Sequence, residues 1–150
     1  MEWTDEFPPA DNAGNPYRAS LPIHLSGRLQ QKRLLVKLGE HEVWVREKSF
    51  EIMLRLAVAA HTTELGWALA LQFGNGDSYY QHMYRLKQDL GQAKGVKPDD
   101  VIENSGQKHY RFSIPPKLIT LDRESILRSF PEAVAILRPL PPNKCNVVRA

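Results

Sequence analysis

From Ser78 to Leu90 the chain reads SYYQHMYRLKQDL, a stretch whose spacing fits only one regular structure well. Residues three and four apart share one side of a helix, so Tyr79, Met83, Leu86 and Leu90 form a stripe that has to be buried. Gln81, Tyr84, Arg85 and Gln88 then occupy the opposite side, with Tyr80 and Lys87 at its edge. About ten residues later the run VIENSGQKHYRFSI alternates, placing Ile102, Tyr110, Phe112 and Ile114 on one side. Its middle holds Ser105, Gly106, Gln107 and Lys108, residues that suit a turn, so the spacing predicts a hairpin over 101–114 with a basic tip. A helix over 78–90 with a hydrogen-bonding, partly cationic face, followed by such a hairpin, is a pair suited to docking on DNA.

The preceding sequence supplies the rest of a domain. Arg33 to Leu38 and Glu42 to Val45 are apolar-rich runs joined by Gly39, Glu40 and His41, which predicts another hairpin with Trp44 packing on the sheet. Phe50, Met53, Leu54, Ala57 and Val58 recur at helical spacing and predict a first helix from Glu47 to Ala60. Thr62 or Thr63 is a candidate cap for a second helix, with Glu64 near its positively polarised start and Leu65, Ala68, Leu69 and Phe73 as its apolar face. Gly74, Asn75 and Gly76 break the pattern, and Asp77 or Ser78 caps the third helix. The expected class is α+β: N-terminal hairpin, three helices, C-terminal hairpin.

Residues 1–31, with Pro8, Pro9, Gly14, Pro16 and Pro22 and no sustained periodicity, are expected to be an arm, flexible or loosely draped on a domain over 32–116. Residues 117–150 form a short extension: a strand through Leu118, Ile119 and Leu121, a short helix capped by Asp122 with Ile126, Leu127 and Phe130 on its apolar side, and a Pro-rich tail.

At 150 residues and 42% hydrophobic content the chain can bury a real core, yet no apolar run reaches membrane-spanning length. Cys145 stands alone and the first residues are acidic rather than basic and then apolar, so the expected compartment is the cytoplasm. The net charge is +3, unevenly spread: Met1 to Tyr17 holds four of the 17 acids and no Lys or Arg, leaving 20 basic against 13 acidic residues and a formal +7. An acidic arm masking a basic body is the expectation. The five histidines lack the spacing of metal ligands. Asp99 and Asp100 follow Pro98 in a turn context, and Gly74-Asn75-Gly76 lacks the lysine and length of a phosphate loop. No nucleophile, base and orienting partner share a recognisable context. No enzyme activity, cofactor or metal is expected.

Three motifs, in order, resemble the winged-helix DNA-binding domain of OmpR-type response regulators. Val45, Phe50, Ile52, Met53, Leu54 and Leu56 fall in register with that family's first-helix pattern. His82, Arg85, Leu86, Lys87, Leu90 and Gly91 match its recognition helix, and Val101, Ile102, Tyr110, Arg111 and Phe112 echo its wing. The expected unit has no receiver domain ahead of it, so receiver phosphorylation is not its expected switch. The wing's usual Arg and glycines are replaced by Gly106, Gln107 and His109, which moves the basic tip to Lys108. The loop before the recognition helix shrinks to Gly74 through Asp77.

The resemblance implies a winged helix-turn-helix that binds double-stranded DNA and regulates transcription. Gln81, Tyr84 and Arg85 would read bases in the major groove, with Tyr80 beside them, and Lys87, Lys108 and Arg111 would contact phosphate. It also implies binding in pairs, with the apolar residues left over in the extension serving a homodimer. The alternative is a winged-helix protein-interaction module that meets a protein partner through Tyr80, Tyr84 and the C-terminal segment.

Overall fold

The computed structural model describes residues 16–76 and 78–141. The first 15 residues of the expected arm, the candidate cap Asp77, and the tail from Pro142 with Cys145 lie outside the described residues. Those that are described contain five α-helices and two β-sheets, an α+β arrangement.

Three antiparallel strands begin the fold: β1 (Ile23–Gln30), β2 (Arg33–Leu38) and β3 (His41–Arg46). Gln31 and Lys32 both take positive φ (53° and 66°) between β1 and β2, the twist a two-residue hairpin turn requires. A fourth strand, β7 (Ile119–Leu121), runs parallel to β1 with Ile23 opposite Ile119, giving the order β3-β2-β1-β7. This corrects the expected arm. Residues 23–30 form an inner strand of the sheet, and Ile23 and Leu25 are fully buried. The sequence hid this because Gly27 interrupts the alternation. Its φ is +78°, the β1–β2 register slips between Leu25 and Leu29, and a side chain there would meet Ile126 at 2.6 Å.

Helix α4 (Arg123–Ser129) therefore crosses β1 at closest approach over a glycine. Its start is capped as expected, Asp122 accepting from the Ser125 amide. Residues 117–141 of the extension are thus integral to the fold and no appendage. Ile119, Leu121, Ile126, Phe130, Ile136, Leu137 and Leu140 share one core with the sheet and helix α1 (Glu47–Thr62). Phe130 meets Phe50 of α1 edge-on at 6.4 Å between centroids, and α5 (Ala133–Leu137) packs along α1. Most apolar residues of the extension are thus used within the chain, while Val134 stays 54% exposed.

The expected second helix is absent. After α1 come a two-residue strand β4 (Ala68–Leu69) and one 3-10 turn (Ala70–Phe73). Thr63 acts at the end of α1: its hydroxyl donates to the Ala59 carbonyl and accepts from the Gly66 amide. Gly66 then turns the chain with φ +82°, and Ala68 and Leu69 pair with β6 (His109–Phe112). Leu65 and Leu69 are consequently exposed, where a helix would have buried them.

Helix α2 (Ser78–Leu90) follows and buries Tyr79, Met83, Leu86 and Leu90, the expected stripe. One turn of helix, α3 (Pro98–Val101), leads into β5 (Ile102–Asn104). Strands β5 and β6 form the expected hairpin, with Ile102 opposite Phe112, and β4 completes a sheet of order β4-β6-β5.

Candidate nucleic-acid interface

Helix α2 is held at both ends and along its buried stripe. At the C-terminal end Asp89, only 2% exposed, accepts from the Arg46 amide at 3.0 Å. It also pairs with the guanidinium groups of Arg46 (3.4 Å) and Arg33 (3.7 Å). Just beyond, the Gln92 side chain donates to the Trp44 carbonyl at 3.0 Å. At the other end the Ser78 hydroxyl donates to the Asn75 carbonyl at 2.8 Å, and the Tyr79 ring sits 6.3 Å from the Tyr110 ring of the hairpin. The helix therefore presents a fixed outer face.

That face carries Tyr80 and Tyr84, 60% and 66% exposed, with Gln81, Arg85 and Gln88, which are also exposed. These five side chains line one shallow depression. Gln88 also borders a second depression with Arg33, Trp44, Arg46, Asp89 and Gln92. Sequence spacing did not connect Trp44, Arg33 and Arg46 with the helix. The signal that does is Asp89, an acid on the buried side of α2 that needs cationic partners from another element. Lys94 and Lys97 stand exposed in the loop leaving α2, and sequence reasoning passed over that loop as a connector.

The other expected contacts divide. Lys87 is half-buried, with its Nζ 2.7 Å from Asp99 Oδ1. Lys87, by this hydrogen bond and by its charge, holds the Asp99 carboxyl below its ordinary range. Lys108 is exposed at the hairpin turn with φ +67°, and its carbonyl accepts from the Ala70 amide at 2.9 Å. The turn also hydrogen-bonds to itself: the Gly106 amide donates to Asn104 Oδ1, and the Gln107 amide to Ser105 Oγ.

Arg111 is a correction. At 3% exposure it lies inside the protein, donating to Glu103 Oε1 (3.0 Å) and to the carbonyls of Leu65 (3.0 Å) and Pro16 (2.6 Å). Its guanidinium stacks on Tyr17 and on Trp67, 4.8 and 4.7 Å from the ring centroids. A planar fork flanked by two rings and satisfied by three acceptors is a packing element, and no phosphate reaches it.

His82 is half-buried on α2. Burial, then Lys48 and Arg85, lower its pKa against an opposing pull from Glu51, which favours the neutral imidazole. Burial, and secondarily Tyr80, push the Tyr110 hydroxyl upward. Among the described residues no group of three or more His, Cys, Asp or Glu is placed to hold a metal ion, and no helix is long and apolar enough to cross a membrane. The outer face of α2 thus offers amide, guanidinium and phenol groups for hydrogen bonding and stacking. No family model, curated protein or solved structure matches the chain.

Proposed function

We propose that this protein binds double-stranded DNA in the manner of a winged helix, with α2 in the major groove and the β5–β6 hairpin on the sugar-phosphate backbone, and that it regulates transcription. One observation carries the reading. A helix fixed at both ends keeps Gln81, Tyr84, Arg85 and Gln88 in solvent on a single stripe. Arg is suited to bidentate contact with guanine and Gln to adenine, and a groove about 12 Å wide accepts a helix of about that diameter. Gln81 to Gln88 at ~1.5 Å per residue covers roughly 10 Å, about three base pairs. Arg85, Lys94, Lys97 and Lys108 supply exposed cations for phosphate, and Lys87 joins them once it leaves Asp99.

A second reading rests on Tyr80 and Tyr84, whose exposed rings also suit a protein partner. A random-sequence duplex titrated at two salt concentrations, with wild type, R85A/K87A and Y80A/Y84A, separates the two. DNA binding requires affinity that falls with salt and a shallower salt slope in R85A/K87A. Absence of salt-dependent binding by wild type, with loss of a protein partner in Y80A/Y84A, would transfer the function to the interaction module.

A further inference from the structure

Two arginines face each other directly across the first sheet. Arg33 of β2 is the register partner of Arg46 of β3, and like charges placed opposite one another on antiparallel strands repel. Asp89 of α2 reaches between them, 3.7 Å from Arg33 and 3.4 Å from Arg46, and accepts from the Arg46 amide at 3.0 Å. A single buried carboxylate offsets only one of the two cations, so one positive charge stays unmatched. Among the described residues neither guanidinium donates a hydrogen bond. Their side chains are 44% and 40% exposed, beside Trp44, Gln88 and Gln92, in the depression that adjoins the outer face of α2 at Gln88.

We infer that Arg33 and Arg46 clamp one backbone phosphate of the duplex at the C-terminal end of the proposed recognition helix. The inference rests on the DNA-binding reading and extends that surface from α2 and the hairpin onto the first sheet. Left to itself this end of α2 repels an anion, because the helix dipole is negative there and Asp89 adds a carboxylate. A phosphate can sit beside it only if another element brings cations, and the β2–β3 pair brings two. Arg46 also stands at the start of α1, where the helix is positively polarised and favours an anion. The planar fork of each guanidinium matches two phosphate oxygens at once. Gln88 joins the two surfaces: towards Tyr84 and Arg85 the side chains face base edges, and towards Gln92 they border the clamp. A groove that holds α2 therefore brings its flanking strand to the arginines, and phosphate contact there fixes the register of the helix. Asp89 is a positioning residue, which sets where both guanidinium groups stand without touching DNA.

The test titrates a random-sequence duplex at low and high salt into four full-length proteins: wild type, R33Q, R33Q/R46Q/D89N and the control R28Q/R128Q. The triple variant removes both cations without leaving Asp89 buried and unpaired. The control takes exposed arginines from β1 and α4 and lowers net charge by two, where R33Q and the triple variant each lower it by one. Binding at low salt should weaken several-fold in R33Q and further in the triple variant, with a salt slope shallower by up to about 0.9 for the one phosphate released. The control should keep the wild-type slope. If circular dichroism shows that the triple variant does not fold, R33Q decides alone, because Asp89 there retains both contacts with Arg46. Wild-type affinity and slope in R33Q and the triple variant, or a control that loses as much as they do, overturn the clamp while DNA binding stands. If wild type binds no duplex, the DNA-binding reading falls and the clamp falls with it.

Discussion

Replacing Arg111 with Ala is the perturbation in which a DNA-contact role and an internal role diverge most. The side chain makes a charge-assisted bond to Glu103, bonds to two main-chain carbonyls and stacks between two rings, with almost none of its surface in water. Hydrogen bonds to a charged group contribute about 1.5–3 kcal/mol each and a desolvated cation over a ring up to ~2, but they are not additive. Breaking a buried pair typically costs about 3–5 kcal/mol, which we take as the expected loss. For a chain of this size that lowers Tm by roughly 10 °C. Thermal and urea unfolding, followed by circular dichroism, measure it. R111K, which keeps charge but not the fork, should recover only part of the loss. Under conditions where R111A stays folded, its salt slope for duplex binding should match that of wild type. A loss under about 1 kcal/mol together with a shallower slope would refute the internal role and restore Arg111 to the DNA contacts.

Other consequences follow from single contacts. G27A forces a side chain into Ile126 at a positive φ and should destabilise by more than about 1 kcal/mol, read by urea unfolding. Lys87 is engaged by Asp99 in the free protein, so D99N should tighten duplex binding and R85A should weaken it more than K87A does; titrations at one low salt concentration check both. The Asp99 carboxyl titrates below its ordinary 3.8, so its contact with Lys87 is present above that value and is lost as pH falls through the lowered one, which side-chain NMR can follow. His82 titrates below 6.5 because the folded state favours the neutral ring. Its contribution to stability is therefore complete above 6.5 and declines as pH falls towards the lowered value, and R85A should move its NMR titration upward.

The periodic segments were legible in the chain and the punctuated ones were not. The stripe of α2, the hairpin over 101–114 and helix α1 follow from spacing, because burial on one side writes a regular pattern. Pro22 and Gly27 mask strand β1 in the sequence, since a glycine bulge removes the alternation by which a strand is recognised. Leu65, Ala68, Leu69 and Phe73 mimic a helical face, and pairing of Ala68 and Leu69 with β6 overrides that local preference. Arg111 shows the limit for sites. A cation in a basic hairpin looks exposed in sequence, and only the long-range approach of Pro16, Tyr17 and Trp67 puts it inside. Trp44, Arg33 and Arg46 reach the edge of the candidate surface by equally long-range pairing.

The most direct measurement is an amide chemical-shift map of the protein titrated with a short duplex at low salt. The largest changes are expected at Tyr80, Gln81, Tyr84, Arg85 and Gln88, with smaller ones at Lys94, Lys97 and Lys108, all diminishing as salt is raised. Changes confined to other surfaces, or none at any duplex concentration, would contradict the placement of DNA on α2.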